Sequence, residues 1–151
     1  MSSEHANEIY PGLWLGDIES ALDTKFIKNK NITCVINCTN NHPFLDSVKL
    51  KYRVPVKDNL ETDQIYKLYS VLDQTVKYIY ETLPEHNILV HCHAGKQRSV
   101  AVVSAFFIKY ADLEPEIVIK LIQSKRHVAG KPTINFIKSL KQYYKDLHCE
   151  M

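Results

Sequence analysis

The sequence lacks the long apolar segment that a membrane-spanning helix requires. Its longest apolar stretch, around Val100 to Ile108, is about half of the ~20 residues needed to cross a bilayer. The opening "MSSEHANEIYPG" also lacks the apolar core of a signal peptide and the second-position glycine of a myristoylation signal. We therefore expect a cytoplasmic protein without a membrane span.

Cysteine, arginine and glycine are scarce, and long runs of one charge are missing. The chain has four cysteines, four glycines and three arginines, at Arg53, Arg98 and Arg126. So few cysteines in an intracellular chain are more typical of free thiols than of a disulfide framework. With a formal net charge of +2 and no basic block, repeat or low-complexity stretch, the composition does not indicate a nucleic-acid partner.

The composition is that of an ordinary globular protein of one domain. The chain has 151 residues, of which 45% are hydrophobic and 24% charged, so it can bury a sizeable core. We expect residues 1–8 to form a short flexible tail and residues 9–148 to form the domain. No long apolar heptad pattern stands out, so a monomer is the default expectation.

Apolar runs alternate with helical patterns along the chain. The expected strands are "ITCVINCT" (32–39), "LKYRVPV" (50–56) and "NILVHC" (87–92). The expected helices are 18–29, a long one from about Ile65 to Leu83, 99–110, one with Pro115 in its first turn, and 134–147. This alternation predicts an α/β fold with a largely parallel sheet, in which ligands bind beyond the carboxyl ends of the strands. Cys38, Asp58 and Cys92 lie at those ends.

The segment "HCHAGKQRS" (91–99) predicts an anion site between a strand and a helix. Backbone N–H groups of such a loop, together with the helix N-terminus, attract anions, and Gly95 permits the turn that points them inward. Arg98 adds a planar two-pronged donor that matches phosphate oxygens. The same positive environment favours the thiolate form of Cys92, which would then be a nucleophile able to attack phosphorus.

The order His91-Cys92-x-x-Gly95-x-x-Arg98-Ser99 is the signature of the cysteine-based protein tyrosine phosphatases. The segments "IYPGLWLGDIESALD", "VPVKDN" and "KRHVAGKPTINF" resemble the dual-specificity branch, so that the resemblance extends from Ile9 to Leu147. The chain is similar to the small atypical dual-specificity phosphatases. The resemblance implies a central mixed, largely parallel sheet flanked by helices on both faces, with residues 9–148 as the catalytic domain.

The resemblance also implies a role for each residue of the site. Cys92 would form a phosphocysteine intermediate, while Asp58 would protonate the leaving group and then activate water; Asp63, nearby, is the weaker candidate acid. Ser99 would assist departure of the sulfur, and His91 would orient the loop. The residues expected to bind substrate phosphate are His93, Ala94, Gly95, Lys96, Gln97 and Arg98. The expected substrates are proteins bearing phosphotyrosine, phosphoserine or phosphothreonine, and no metal or cofactor is expected.

Two basic positions leave a second substrate class open. Phosphoinositide phosphatases of the phosphatase-and-tensin-homologue type carry lysine where this chain has His93 and Lys96, and extra cations favour substrates with several phosphates. A further positive rim is expected from Lys57, Arg126, His127 and Lys131. The simpler interpretation is that His93 and Lys96 point outward and assist phosphopeptide binding.

Other functions remain as alternatives. An RNA 5′-triphosphatase ranks third, since the chain shows no aromatic and basic patch that would follow a nucleic-acid strand. A non-catalytic phosphate-binding module would keep the anion site without turnover, a rhodanese-like sulfurtransferase would not need Asp58, and a metal-dependent enzyme would be sensitive to EDTA. Cys38 closes the first expected strand beside the site and is a candidate redox partner of Cys92, as in some relatives; the alternative is a passive buried thiol.

Overall fold

The computed structural model describes residues 5–57, 59 and 61–149. Asp58, the expected general acid, lies outside the described residues. The strands are β1 (Ala6–Tyr10), β2 (Leu13–Gly16), β3 (Ile32–Asn37), β4 (Leu50–Arg53) and β5 (Asn87–His91). The helices are α1 (Ile18–Ala21), α2 (Thr24–Asn29), α3 (Thr62–Thr82), α4 (Arg98–Tyr110), α5 (Pro115–Lys125) and α6 (Ile137–Leu147).

The strands form one mixed sheet in the order β1-β2-β5-β3-β4. β1 and β2 are antiparallel, and the other neighbouring pairs are parallel. The larger buried cluster lies on one face and contains Leu72, Val103, Ile119 and Leu140 from α3, α4, α5 and α6. A smaller cluster on the other face includes residues of α1 and α2. The predicted mixed, largely parallel sheet with helices on both faces is therefore confirmed.

The β1–β2 hairpin was not expected, and it corrects the assignment of the N-terminal tail. Ala6, Asn7 and Glu8, which were assigned to a flexible tail, pair with Gly16, Leu15 and Trp14 of β2. The two strands have only five and four residues, and β1 reads "ANEIY", which carries too little apolar alternation to predict a strand. β1 is stabilised by pairing with β2, and this pairing cannot be predicted from the local sequence of β1.

The helix expected over residues 18–29 is two short helices. Asp17 and Asp23 each act as an N-cap, because their carboxylates accept hydrogen bonds from backbone N–H groups in the turn that follows. The second cap interrupts the pattern after Leu22. The final helix begins at Ile137, three residues later than expected, and its N-cap is Phe136.

In the structure, β3, β4 and β5 end earlier than the apolar runs that predicted them. The remaining residues of those runs belong to the loops that carry the site. β3 ends at Asn37, β4 at Arg53 and β5 at His91, so Cys38 and Cys92 are the first residues beyond two adjacent strands. In the described part of the chain, no helix combines the length and the apolar character needed to cross a bilayer.

Candidate active site

The centre of the site is the loop that joins β5 to α4, residues 92–98, here called the phosphate loop. Cys92 is only 2% exposed, and its Sγ lies 3.1 Å from the Oγ of Ser99 in the first turn of α4. A serine hydroxyl at that distance can donate a hydrogen bond to a thiolate. The predicted pairing of Cys92 with Ser99 is thus present in the geometry.

Gly95 is the position where the phosphate loop requires glycine. Its φ is +68°, and a Cβ there would lie 2.6 Å from the carbonyl oxygen of Gly16 and 2.7 Å from Nη2 of Arg126. Both contacts are far inside van der Waals distance, and the first is with rigid backbone. Any side chain at this position would displace the loop from β2 or from Arg126.

Arg126 supports the phosphate loop from beneath, and its predicted place on the rim is wrong. The side chain is buried, with 3% of the residue exposed. Its Nε donates to the Gly95 carbonyl oxygen (2.9 Å), its Nη2 to the Ala94 carbonyl oxygen (3.3 Å) and its Nη1 to Oδ1 of Asn7 (3.0 Å). The guanidinium group therefore connects β1 to the loop and holds two loop carbonyls away from the pocket.

The charge of Arg126 also lies close to the site. Burial lowers the pKa of Arg126, while the negative charges of Asp17 and Cys92 oppose that shift. A positive charge held under the loop favours an anion above it, whether that anion is a thiolate or a bound phosphate.

Gln97 was expected to bind phosphate, but its side chain has another task. Its Nε2 donates to the carbonyl oxygens of Lys131 (3.1 Å) and Thr133 (2.7 Å), and its Oε1 accepts from the backbone N–H of Asn135 (2.9 Å). These bonds attach the segment before α6 to the phosphate loop. Gln97 lies between the motif residues Gly95 and Arg98, and the local sequence does not predict its contact with the segment before α6.

Arg98 links the phosphate loop to the segment after β4. Its Nη1 donates to the carbonyl oxygen of Val56 at 3.0 Å, two residues before Asp58. Among the residues that the structure describes, the buried Nε of Arg98 has no hydrogen-bond partner. This N–H group lies beside the pocket and can donate a hydrogen bond to a bound anion.

A pocket of about 440 Å³ opens above Cys92. It is lined by Thr39, Asn40, Asn41, His42, Lys57, Cys92, His93, Ala94, Lys96, Gln97 and Arg98. The fold thus brings the predicted phosphate-loop residues together around Cys92, with Gly95 shaping the loop. Lys57 takes part in the lining, as expected of the rim, whereas His127 and Lys131 do not.

The wall formed by residues 39–42 was missed by the sequence analysis. It follows β3, so its place at the carboxyl edge of the sheet was available from the strand order, but "TNNH" has no recognisable motif. Arg53 holds this wall by donating to the carbonyl oxygens of Thr39 (3.0 Å) and His42 (2.9 Å). Nδ2 of Asn37 also donates to the His42 carbonyl oxygen (2.9 Å).

His91 lies below the loop and is fully buried. Its Nδ1 donates to the carbonyl oxygen of Cys92 at 3.2 Å, and its Nε2 has no hydrogen-bond partner among the described residues. Burial lowers the pKa of His91 to about 4, so the ring is neutral near neutral pH. This contact fits the predicted role of orienting the loop.

The whole arrangement resembles known proteins along nearly its entire length. The model of the dual-specificity phosphatase catalytic domain matches residues 13–146. The chain belongs to the dual-specificity phosphatase family. Members of this family are cysteine-dependent protein phosphatases, and hence hydrolases.

Individual members of the family agree with this assignment. Dual specificity protein phosphatase 1B of Arabidopsis thaliana is 32% identical over 146 residues, covering 93% of this chain and 83% of that protein. Dual specificity protein phosphatase 12 of Rattus norvegicus is 34% identical over 148 residues, covering 94% of this chain but 42% of that protein. The chain thus spans about two fifths of the rat relative. Among solved structures, a variant of human DUSP28 has a TM-score of 0.85 at 25% identity, covering 95% of this chain and 97% of that one.

Cys38 lies beside Cys92 in this dual-specificity phosphatase. Its N–H donates to the carbonyl oxygen of His91 (2.8 Å), and it belongs to the same buried cluster as Cys92. Burial raises the pKa of Cys38 well above its usual value, and the charge of Cys92 raises it further. All four cysteines are free thiols in the structure, and a Cys38–Cys92 disulfide stays a prediction. Peptide mass spectrometry after mild peroxide treatment tests it, and absence of the crosslink would exclude it.

The segment that carries Asp58 is described only on either side of that residue. The backbone N–H of Lys57 donates to Oε1 of Gln64 (2.8 Å), and Oδ1 of Asn59 accepts from the N–H of Glu61 (3.1 Å). These bonds tie the segment to the start of α3, where Asp63 lies exposed in the first turn. Within the described ranges, no cluster of metal-ligating side chains occurs. The expectation that no metal takes part stays a prediction.

Proposed function

We propose that this dual-specificity phosphatase hydrolyses phosphotyrosine, phosphoserine and phosphothreonine monoesters of proteins through a phosphocysteine intermediate on Cys92. The observation that carries the proposal is the position of Cys92 beneath a cationic pocket, with Ser99 at its sulfur and Arg98 at its wall. Cys92 and Arg98 lie on one loop, which supports their proposed roles as nucleophile and phosphate-binding group.

In the first step, the Cys92 thiolate forms a bond to phosphorus while the bond to the leaving oxygen breaks. Asp58 donates a proton to that oxygen, so the product departs as a neutral phenol or alcohol. Arg98 and the loop N–H groups from His93 to Arg98 stabilise the charge on the equatorial phosphate oxygens. The hydrogen bond from Arg98 to the Val56 carbonyl supports this assignment, because it brings the acid-bearing segment toward the phosphate loop.

In the second step, Asp58 accepts a proton from water, which attacks phosphorus and breaks the sulfur–phosphorus bond. The sulfur leaves as a thiolate, and the Ser99 hydroxyl stabilises it by donating a hydrogen bond. Inorganic phosphate is released, and the enzyme returns to its starting state. Every proton is supplied by Asp58 or water, so the cycle needs no metal or cofactor.

A phosphoinositide phosphatase is the second candidate. His93 and Lys96 are both exposed and line the pocket together with Lys57. These three basic residues supply more positive charge than one phosphate requires. The protein substrate remains the primary proposal because family members are named as protein phosphatases. An RNA 5′-triphosphatase has no observation of its own in support.

The deciding experiment compares phosphate release from a peptide bearing phosphothreonine and phosphotyrosine with release from a soluble phosphoinositide. Cys92→Ser is the control, and it should abolish turnover while still binding substrate. We expect faster turnover of the peptide, unaffected by EDTA and inhibited by vanadate. Faster turnover of the phosphoinositide would indicate a phosphoinositide phosphatase. If the wild type released no more phosphate than Cys92→Ser from either substrate, the result would indicate a non-catalytic phosphate-binding module.

The acid assignment has its own arm in this experiment. Asp58→Asn should slow hydrolysis of the phosphopeptide, and least for an ester whose leaving group is already acidic. If Asp58→Asn matched wild type on the peptide, Asp58 would not be the acid, and Asp63 would be tested next.

A further inference from the structure

Two histidines form a pair at the wall of the pocket. Nε2 of His42 and Nδ1 of His93 share a hydrogen bond of 3.0 Å, and the rings are stacked with centroids 5.1 Å apart. His42 comes from the loop after β3, whereas His93 belongs to the phosphate loop. Both line the same pocket as Cys92, yet neither imidazole ring has a task in the proposed cycle.

The pair is held in place rather than loosely exposed. The His42 carbonyl accepts from both Arg53 and Asn37, and the His42 N–H donates to Oγ1 of Thr39 at 3.1 Å. The carbonyl of His93 accepts from the backbone N–H of Ile18 at 3.0 Å. These bonds fix both backbones, and the hydrogen bond between the rings joins the two side chains beside Cys92.

Among the described residues near His42, the charged side chains are basic. Arg53 approaches from β4, while His93 and Arg98 come from the phosphate loop and the start of α4. His91 lies at the end of β5, and Lys57 lines the pocket from the segment after β4. Within the described residues, no aspartate or glutamate lines this pocket. Among the described residues, this positive charge has no acidic partner in the pocket.

We propose that His42 and His93 form a proton-dependent subsite for a carboxylate that flanks the phosphorylated residue of a peptide substrate. The proposal rests on the proposed function, since the scissile phosphate of the same peptide must occupy the phosphate loop. It assigns to this chain a preference for acidic phosphopeptides that strengthens as the pH falls.

The chemistry of two imidazoles limits the pair to one extra proton. When both rings are neutral, one N–H donates to the lone pair of the other ring. One added proton leaves this bond intact, because the protonated ring still donates to the neutral one. A second proton would set two N–H groups against each other, so the pair changes between neutral and singly positive.

A bound carboxylate shifts this equilibrium. Partial burial lowers the pKa of His42, and the neighbouring charges of His93, Arg98 and Arg53 lower it further. A carboxylate in the pocket opposes the effect of those charges and raises the pKa, so binding takes up a proton. The preference for a carboxylate therefore grows as the pH falls through the bound-state pKa and becomes constant below the free-state pKa.

The test measures binding to Cys92→Ser protein, which cannot turn the substrate over. Two phosphotyrosine peptides differ only in having Glu or Gln beside the phosphotyrosine, and their dissociation constants are measured at several pH values from 5.5 to 7.5. A glutamate with an ordinary pKa of about 4.3 keeps its charge over this range, and titration of the phosphate cancels in the ratio. We expect the preference for the Glu peptide to increase about two- to fivefold from the highest to the lowest pH, as for one partly exposed charge pair.

Matched variants identify the groups responsible. His42→Gln with His93→Gln preserves polar side chains of similar size but cannot take up the proton, and it should remove the increase. His86→Gln is the control, because His86 precedes β5 and thus lies at the opposite end of that strand from the site. It should retain the increase.

Each outcome decides the proposal. A preference that does not change with pH, or an increase that survives in the double variant, would overturn it while leaving the proposed function intact. If the histidine-dependent increase occurred with a soluble inositol bisphosphate and not with the Glu peptide, the assignment to peptides would be wrong. If neither peptide bound and wild type released no phosphate from them, the proposed function would fail together with this inference.

Discussion

Two buried serines of α4 show how much a single position matters. The Oγ of Ser99 lies 3.1 Å from the Cys92 sulfur, whereas the Oγ of Ser104 has no hydrogen-bond partner in the part of the chain that the structure describes. The two residues share a helix and complete burial, and they differ in what they contact. Ser99 therefore has the contact that the proposed second step requires, and Ser104 does not.

We expect Ser99→Ala to reduce kcat about ten- to hundredfold, because one hydrogen bond to a charged group contributes about 1.5–3 kcal/mol. The loss should fall on the second step, so a rapid burst of product should precede slow turnover in stopped-flow measurements with an aryl phosphate. Ser104→Ala is the matched control and should keep the wild-type kcat. A Ser99→Ala enzyme with unchanged kcat and no burst would show that the hydroxyl does not assist release of the sulfur.

The residues that the sequence predicted well are those whose spacing is local. Cys92, Gly95, Arg98 and Ser99 lie within eight consecutive positions, so one strand-to-helix turn determines their arrangement. His42 lines the same pocket, although it precedes His93 by fifty-one positions in the chain. No short sequence pattern predicts such a contact.

At the scale of elements, the phosphate loop depends on parts of the chain that are far from it. Arg126, at the end of α5, donates to two loop carbonyls, and Asn7 of β1 orients the same guanidinium group. Without these donors, the carbonyl of buried Gly95 would lose its partner at a cost of about 1–3 kcal/mol. The carbonyl of Ala94, an exposed residue, would lose less.

Arg126→Met should therefore weaken vanadate binding and lower kcat/KM by at least about tenfold, in proportion to that cost. Arg126→Lys should restore part of the loss, since an ammonium group can replace the charge but not all three hydrogen bonds. Lys125→Met, at an exposed neighbouring position, is the control. The measurement is vanadate affinity by calorimetry on protein shown to be folded by circular dichroism. Wild-type affinity in Arg126→Met would remove Arg126 from the loop's support.

The predicted elements differ from the observed ones where pairing or capping outweighs local pattern. α3, α4 and α5 have long apolar stripes or a first-turn proline, and they lie where periodicity placed them. The β1–β2 hairpin has no comparable sequence pattern. Its strands of four and five residues are stabilised by pairing with their neighbours. The two caps at Asp17 and Asp23 divide a segment whose apolar spacing alone suggested one helix.

At the scale of the whole molecule, burial of His91 couples folding to pH. The pKa of His91 is lowered to about 4 in the folded protein, against an ordinary value of about 6.5. The unfolded chain therefore binds a proton that the folded protein rejects between these values. The contribution of this group to stability is fully present above the unfolded pKa and is lost as the pH falls toward 4.

We expect the free energy of unfolding to decrease by about 3 kcal/mol from this residue alone between pH 7 and pH 4. Urea denaturation at half-unit pH steps measures the slope, and His91→Asn should flatten it even though the variant is less stable at every pH. His86→Gln controls for the loss of a histidine outside the site and should keep the wild-type slope in this range. Equal slopes in wild type and His91→Asn would mean that His91 titrates normally in the folded protein. Burial beneath Cys92 would then not exclude the charged form of the ring.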